Sequence, residues 1–280
     1  MMRSQSDAEI AMQAASIAGE LLLKLRHAAA KDGAIDSEAL RTAGDRDANR
    51  AILELLAKER PDDGILSEEA ADDLGRLSAE RVWIIDPLDG TREFGERDSA
   101  GVWRDDFAVH VALWVRGEGL TCGVVGLPAR GLIYSSNVQT VVPPSPAGPL
   151  RIAVSRTRPP GFVAALESAG DATLLPMGSA GVKVMAVVSG EADAYIHAGG
   201  QYQWDSAAPV AVALAAGLVA TRLDGSPLRY NVPELLLPDL LVCHPDRADE
   251  VRALLDAAGF GAGDASGAGA TSAGTAESPR

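Results

Sequence analysis

Residues 82–94 read Val-Trp-Ile-Ile-Asp-Pro-Leu-Asp-Gly-Thr-Arg-Glu-Phe. A short apolar strand, 82–85, is followed by two carboxylates three positions apart, Asp86 and Asp89, and then by Gly90. Mg²⁺ is usually held by one or two carboxylates together with phosphate oxygens of a substrate. Glycine lets the backbone approach a ligand closely, and adjoining amides can hold an anion. The stretch therefore predicts a metal-dependent phosphate site, although Asp, Pro and Gly after a strand are also ordinary turn residues.

The composition limits the functional classes. The chain has 280 residues, 47% of them hydrophobic, which is typical of a globular enzyme with one large domain or two moderate ones. Its formal net charge of −14 argues against binding of polymeric DNA or RNA, which requires a basic surface. A small anionic substrate stays compatible, because metals and amides can reverse the field at one site.

The N-terminal residues, the lengths of the apolar segments and the cysteines indicate the cellular location and the redox state. The first twenty or so residues mix acids with alanines and carry no signal-like apolar segment, and no stretch is long enough to span a membrane. We therefore expect a cytoplasmic protein. Cys122 and Cys243 lie in apolar, strand-like runs and are expected to be buried free thiols.

A Pro-rich stretch at 143–149 is the clearest break in the chain, because it cannot form a central strand. We expect an N-terminal α+β metal-site domain over 1–142, this stretch as a linker, and a C-terminal α/β substrate domain over 150–260. Residues 261–280 contain few large apolar side chains, so a disordered tail is expected there.

Apolar periodicity and turn residues predict the individual elements. The first helix has an apolar face formed by Ile10, Ala14, Ile17, Leu21 and Leu25. Helices are predicted over 6–30, 45–59, 70–80, 161–169, 178–189 and 207–218. Strands are predicted over 64–69, 82–85, 107–115, 123–127, 131–134 and 151–154.

Three further acidic positions suit the same site as Asp86 and Asp89. Glu68 closes a strand with Glu69 beside it, Asp205 starts an apolar helix after Trp204, and Asp45 starts the second helix. Each has an ordinary alternative. Asp45 and Asp205 are good helix N-cap residues, and the two glutamates could be a solvated face.

Taken together, these motifs resemble those of the inositol monophosphatase-like metal-dependent phosphatases. The resemblance rests on Asp-Pro-Leu-Asp-Gly-Thr at 86–91, Glu-Glu at 68–69 and Trp-Asp-Ser-Ala-Ala-Pro at 204–209. It covers nearly the whole chain to about residue 245. Asp-Gly-Thr-Arg-Glu-Phe at 89–94 is similar to the CysQ-type 3′(2′),5′-bisphosphate nucleotidases, and among these it resembles the actinobacterial branch.

The resemblance implies an α/β layered fold, an αβαβα sandwich, with the site in a cleft. It implies two or three Mg²⁺ ions, and Asp86 would bridge two of them. The first ion would bind Glu68, Asp86 and the Leu88 carbonyl, and the second Asp86, Asp89 and Asp205. Such a metal pair can activate a water and stabilise an in-line phosphoryl transfer. The catalytic residues would be Asp45, Thr91 and Glu68, because Asp45 and Thr91 match the pair that positions and deprotonates the water.

The resemblance also implies the substrate contacts. They are Asp89, Gly90, Thr91, Arg92, Gly178, Ser179, Lys183 and Asp205. Residues 178–181 start a helix and are expected to offer free N–H groups to a sugar or second phosphate. His110 and His197 are not expected to bind the metal, because Mg²⁺ prefers oxygen. The loop 95–106 is longer than in typical relatives, so it bears on substrate choice.

The leading hypothesis is Mg²⁺-dependent hydrolysis of the 3′-phosphate of adenosine 3′,5′-bisphosphate, with the 5′-phosphosulfate analogue as a second candidate substrate. Inositol monophosphatase or fructose-1,6-bisphosphatase activity with the same metals is the main alternative. A haloacid-dehalogenase-like aspartyl-phosphate mechanism spaces its acids two apart, whereas Asp86 and Asp89 are three apart. A non-catalytic phosphate sensor is a further alternative. Li⁺ inhibition is expected from the resemblance, and a homodimer is the commonest closed assembly.

Overall fold

The computed structural model describes residues 5–31, 36–163, 167 and 170–260. Within these ranges, ten strands form two five-stranded sheets. The predicted tail at 261–280 and most of the predicted helix at 161–169 lie outside the described residues, although 161–163 are helical.

The first sheet contains the opening stretch. Its strands are adjacent in the order β1-β2-β3-β4-β5, with β1 parallel to β2 and the other neighbours antiparallel. They span β1 Gly64–Ser67, β2 Arg81–Asp89, β3 Ala108–Val115, β4 Gly119–Leu127 and β5 Leu132–Ser135. The parallel pairing of β1 with β2 brings the carboxyl ends of both strands, and the acids that follow or end them, to one edge.

The second sheet is mixed and has the order β7-β6-β8-β10-β9. β6 is parallel to both of its neighbours, whereas β10 is antiparallel to β8 and β9. The strands are β6 Leu150–Ser155, β7 Ala172–Met177, β8 Ala194–Tyr202, β9 Val219–Thr221 and β10 Leu236–Cys243.

The helices complete a layered arrangement with three apolar clusters. They are α1 Asp7–Lys31, α2 Ser37–Glu59, the single turn α3 Thr91–Phe94, α4 Ala180–Val188, α5 Gln203–Ala215 and α6 Ala248–Ala257. β2 alternates its side chains between two layers: Trp83 and Ile85 pack with α1 and α2, while Val82 and Ile84 face α4 and α5. The third cluster lies between the second sheet and α6. The expected αβαβα sandwich is confirmed.

The middle layer lies very close to the first sheet at one point. A Cβ added to Gly123 on β4 would lie 2.5 Å from the Ala211 Cβ and 2.7 Å from the Ala208 carbonyl oxygen, both on α5. Only glycine in the strand, opposite alanines in the helix, permits this distance. α5 is thereby held, at its second and third turns, against the sheet that carries the acids.

The structure corrects four predicted boundaries. α2 starts at Ser37, because the Asp36 side chain caps it by accepting from the Glu38 and Ala39 amides. Residues 70–80 do not form an α-helix; Asp73 caps a short 3₁₀ turn at Leu74–Ser78 instead. α5 starts at Gln203 and ends at Ala215, four residues earlier than expected at its start. β2 continues through Asp89, with a register shift between Asp86 and Asp89.

The expected apolar face of α1 is only partly right. Ile10 and Ala14 are buried, but Ile17 is 38% exposed, and Leu22 replaces it in the core together with alanines at 11, 15 and 18. Small side chains let the helix lie close to its neighbours, so alanine determines the buried face here more than the branched residues do.

No strand or helix is assigned over 143–149, and the division of the chain into domains at this segment stays a prediction; the middle apolar cluster takes residues from both sides of it. Cys122 and Cys243 are buried and free. Among the described helices, none is long and apolar enough to cross a membrane.

Candidate metal and phosphate site

The three aspartates of the predicted second metal site come together. One carboxylate oxygen from each of Asp86, Asp89 and Asp205 lies within 4.8 Å of the others. Asp86 and Asp89 end β2, and Asp205 is in the first turn of α5. The fold therefore brings acids from two distant segments to one edge of the first sheet.

A hydrogen bond from the backbone and the backbone conformation at Gly90 fix the chain around the two acids of β2. The Leu88 amide donates to Asp86 Oδ1 at 3.0 Å, which closes a tight turn around Pro87. Gly90 ends the strand with a φ of 86°, a left-handed conformation that favours glycine. A side chain there would also press on the Asp106 carbonyl, 3.1 Å from the position of an added Cβ.

Asp205 is oriented from within its own helix. Tyr202 precedes α5, and its amide donates to Asp205 Oδ2 at 2.7 Å, so Asp205 is not the N-cap residue. The Trp204 ring stacks on Tyr202 with centroids 4.7 Å apart, and Trp204 is 8% exposed.

Asp89 is the most firmly held acid. Its Oδ2 accepts from the Gly181 amide at 2.7 Å and from the Ser179 hydroxyl, and His110 Nε2 lies 3.2 Å away. Burial alone would raise the pKa of Asp89, but His110, Lys183 and Ser179 outweigh it, and the pKa is lowered. Asp89 therefore stays ionised at neutral pH.

The other acids repel one another. Burial, followed by the charges of Glu68, Asp89 and Asp205, raises the pKa of Asp86 well above its ordinary value. Burial and then the charge of Asp89 raise the pKa of Asp205 to about 7. Crowded carboxylates without enough positive charge fit a hard divalent cation, which takes oxygen ligands. The residues present thus suit the metal ions that the resemblance implies.

Glu68 adjoins this group from β1. Its amide donates to the Ile85 carbonyl at 3.2 Å, which fixes it beside β2. Its outer surface is exposed, whereas its carboxyl is close enough to Asp86 for a hydrogen bond between them. Displacement of water by the surrounding protein, and then the charge of Asp205, raise the pKa of Glu68 to about 8.

Thr91 and Asp45 form the expected pair. Thr91 Oγ1 lies 3.3 Å from Asp45 Oδ1 and 3.0 Å from the Leu88 carbonyl oxygen. Asp45 is on the third turn of α2 instead of its start, so the N-cap alternative is wrong for it. Burial and then the charge of Glu69 raise the pKa of Asp45 to about 7.

A cavity of about 280 Å³ opens beside these residues. It is lined by Asp89 to Glu93, by 155–158 after β6, by 177–180 and Lys183, and by residues of β8. Lys183 is buried, and its Nζ donates to the Ser179 carbonyl at 2.7 Å and to the Gly178 carbonyl at 3.2 Å. Arg92 is exposed at the rim.

The helix start at 178–181 is only partly available to a ligand. The Gly178 amide donates to Asp106 Oδ2 at 2.7 Å and the Gly181 amide to Asp89 Oδ2 at 2.7 Å, so these two amides are already paired within the protein. Among the described residues, none accepts from the Ser179 or Ala180 amide, and their use by a sugar or phosphate stays a prediction. The Gly181 amide positions Asp89 instead.

Sequence reasoning missed several residues that build the site. Asp106 pairs with Arg104 and holds the Gly178 turn, and Arg156 Nη2 binds Glu93 at 2.7 Å and Glu96 at 2.6 Å. Gly178 lies 72 positions from Asp106 and Arg156 lies 63 positions from Glu93, so no local pattern marks these two contacts. His110 offered one signal, a polar ring in an otherwise apolar strand. His197 lines the cavity, and its Nε2 lies 3.0 Å from the Gly200 carbonyl oxygen.

Comparison with known proteins agrees with this geometry. The model of the inositol monophosphatase family matches residues 4–256, nearly all of the described chain. The chain belongs to the inositol monophosphatase family. Members of the family are metal-dependent phosphatases, and this chain is a phosphatase with an acidic cluster suited to metal.

Similar relatives narrow the position within the family. The 3′-phosphoadenosine 5′-phosphate phosphatase of Mycobacterium tuberculosis is 51% identical over 238 residues, covering 82% of this chain and 86% of that protein. The 3′(2′),5′-bisphosphate nucleotidase CysQ of Escherichia coli K12 is 32% identical over 210 residues, covering 70% and 81%. The solved structure of CysQ from Bacteroides thetaiotaomicron has a TM-score of 0.72 and 30% identity, covering 85% and 97%.

Proposed function

We propose that this phosphatase removes the 3′-phosphate of adenosine 3′,5′-bisphosphate and releases AMP and inorganic phosphate. The observation that carries the proposal is 51% identity, over most of both chains, to a protein named for this substrate. The acidic cluster beside a cavity large enough for part of a nucleotide supports it. The 5′-phosphosulfate analogue is proposed as a second substrate, because it carries the same 3′-phosphate.

The metal would be held by the acids already described. We assign the ligands to Glu68, Asp86, the Leu88 carbonyl, Asp89 and Asp205, with Mg²⁺ as the ion. When bound, Mg²⁺ supplies positive charge that stabilises the transferring phosphoryl group and acidifies water. In this arrangement Asp89 is already ionised, since its pKa is lowered.

Thr91 and Asp45 would orient the attacking water and take its proton. A threonine hydroxyl is too weak a base alone, but Thr91 Oγ1 lies 3.3 Å from a carboxylate whose pKa of about 7 suits proton transfer near neutral pH. The water oxygen forms the new bond to phosphorus as the bond to the 3′-oxygen breaks. The proton moves through Thr91 to Asp45, and the leaving oxygen is protonated from solvent.

The rest of the substrate would lie along the cavity. We assign the scissile phosphate to the Gly90 and Thr91 amides, with the exposed Arg92 at the rim of the cavity. Lys183 uses two of its three N–H donors on carbonyls, which leaves one for an anion. Ser179 and Gly178 shape this side through their contacts with Asp89 and Asp106.

A phosphate-release panel tests the substrate. Initial rates are measured with adenosine 3′,5′-bisphosphate, its phosphosulfate analogue, inositol 1-phosphate and fructose 1,6-bisphosphate across a range of Mg²⁺ concentrations. The proposal expects the highest kcat/KM for the bisphosphate nucleotide and no turnover in chelator. A higher kcat/KM for inositol phosphate or the fructose bisphosphate would overturn the substrate assignment.

Two substitutions test the metal assignment. Asp89→Asn and Asp205→Asn remove charge from the cluster with little change in shape, so we expect kcat to fall by at least about a hundredfold. Asp62→Asn, at an exposed carboxylate outside the cavity, is the matched control. Far-ultraviolet circular dichroism checks that each variant is folded. Near-normal turnover by either site variant would contradict the assignment.

A further inference from the structure

We propose that His110 is a positioning residue that fixes the position of Asp89 relative to Asp205. The proposal rests on the metal site assigned above. Its basis is one buried ring that contacts the side chain of one acid and the backbone next to the other.

The ring lies between two elements that carry ligands. His110 is in the middle of β3 and is fully buried. Its Nδ1 lies 3.2 Å from the Trp204 carbonyl oxygen, directly before Asp205, and its Nε2 lies 3.2 Å from Asp89 Oδ2. A carbonyl oxygen only accepts, so Nδ1 donates to it. Nε2 is at ion-pair distance from Asp89 but makes no hydrogen bond to any of the described residues, so His110 is hydrogen-bonded to the first turn of α5 and in contact with the acid that ends β2.

The start of α4 is built around the same ring. A Cβ added to Gly181 would lie 2.1 Å from His110 Nε2, so no other residue fits at 181 while the ring stays in place. The Gly181 amide donates to Asp89 Oδ2 at 2.7 Å. Asp89, His110 and the first turn of α4 therefore form one packed unit.

This unit leaves one side of Asp89 available for a cation. Oδ2 is occupied by Ser179, Gly181 and the His110 contact, whereas no hydrogen bond from the part of the chain described here engages Oδ1. Residues behind a metal ligand determine its orientation, and their loss typically weakens metal affinity about 10–100-fold. Packing alone would be served as well by an apolar side chain in this apolar strand.

Three substitutions separate the two contacts. His110→Gln places an amide nitrogen near the Nε2 position, His110→Asn places one near the Nδ1 position, and His110→Leu removes both. Mg²⁺ affinity is measured by calorimetry on the substrate-free protein, and the apparent KM for Mg²⁺ and kcat are measured separately. Exposed His27→Gln is the control.

We expect His110→Leu to weaken Mg²⁺ binding about 10–100-fold, and His110→Gln and His110→Asn, which each keep one of the two contacts, to lose less. The loss should appear in the KM for Mg²⁺ more than in kcat at saturating Mg²⁺. Unchanged affinity in His110→Leu, or losses in His110→Gln and His110→Asn as large as in His110→Leu, would overturn the positioning role alone. If the unsubstituted protein bound no divalent cation, the metal assignment would fail together with it.

Discussion

The Thr91 hydroxyl joins two parts of the site through one atom, since it contacts both Asp45 and the Leu88 carbonyl. Thr91→Val keeps the shape of the side chain and removes the hydroxyl. We expect kcat to fall about a hundredfold or more, because general-base catalysis contributes that much. Thr91→Ser restores the hydroxyl and should recover most of the rate.

The measurement is kcat at saturating substrate and Mg²⁺. Thr121→Val, on β4, removes a partly buried hydroxyl away from the cavity and serves as the control. If Thr91→Val and Thr121→Val had similar kcat values, Thr91 would not take part in proton transfer.

Asp86 illustrates how the acidic cluster lowers the free energy of unfolding when no metal is bound. Its buried carboxyl is crowded by Glu68, Asp89 and Asp205, and Asn at this position would keep the oxygen that accepts from the Leu88 amide. In chelator we expect Asp86→Asn to raise the free energy of unfolding by about 1–2 kcal/mol, while activity is lost. Urea unfolding measures the difference.

With Mg²⁺ present, we expect the unsubstituted protein to have a higher free energy of unfolding than Asp86→Asn. A ligand that binds only the folded state stabilises it, so added Mg²⁺ should stabilise the unsubstituted protein and have less effect on Asp86→Asn. An equal Mg²⁺-induced rise in unfolding free energy for both proteins would show that Asp86 is not a ligand.

At the residue scale, the sequence predicted the acidic residues better than the residues that hold them in position. Asp86, Asp89 and Thr91 lie within one short stretch, so their proximity follows from local geometry. Asp106, His110 and Arg156 act on residues in other strands and helices, and only the tertiary structure shows those pairs. The pairing of the Gly178 and Gly181 amides with Asp106 and Asp89 was missed for the same reason.

At the element scale, the start of α2 decides what Asp45 can do. Both Asp36 and Asp45 are good capping residues, and composition alone does not distinguish them. Because Asp36 caps the helix, Asp45 lies inside it, with a side chain free to contact Thr91. The resemblance selected Asp45, and its contact with Thr91 is as expected, although the predicted helix boundary was wrong.

Another aspartate joins several elements of the second sheet. Asp193 is 1% exposed and accepts from Ser145 Oγ at 2.6 Å, from the Arg151 amide at 2.8 Å and from Arg151 Nη2 at 2.7 Å. It fastens the Pro-rich segment to β6 and to the start of β8. The hydrogen bonds from Arg151 and Ser145 outweigh burial and lower the pKa of Asp193.

A lowered carboxyl pKa contributes stability above its unfolded value and loses it as the pH falls. Asp193→Asn should reduce the free energy of unfolding at neutral pH by about 3 kcal/mol, since it breaks a buried ion pair. The difference from the unsubstituted protein should shrink below pH of about 4. Urea titrations across this range measure it, with exposed Asp62→Asn as the control. A difference independent of pH would contradict the ion-pair explanation.

At the scale of the whole molecule, the layers follow from the apolar patterns of the strands and helices. Continuous burial of α4 and most of α5 requires a sheet on both faces, and the structure supplies it. The strand order of the second sheet could not be read from the chain, because β10 inserts between β8 and β9. The sequence also did not show that residues before and after 143–149 share one apolar cluster.

The close approach at Gly123 has a consequence for which cation the enzyme prefers. Asp205 belongs to α5, whereas Asp86 and Asp89 belong to the first sheet, so the spacing of these layers sets how far apart the ligands stand. Mg²⁺ needs oxygen ligands at about 2.0–2.1 Å and Ca²⁺ at about 2.3–2.6 Å. An added methyl at 123 would move the helix outward and widen the gap.

Gly123→Ala should therefore shift relative affinity from Mg²⁺ toward Ca²⁺, as measured by competition calorimetry, and lower Mg²⁺-dependent turnover. Gly126→Ala on the same strand is the matched control, because its added Cβ would make only an ordinary contact of 3.6 Å with Ala15. Identical ion preference in the two variants would contradict this view. If only Gly123→Ala shifts the preference, then Gly123, which touches neither metal nor substrate, contributes to the selection of ions by their radius.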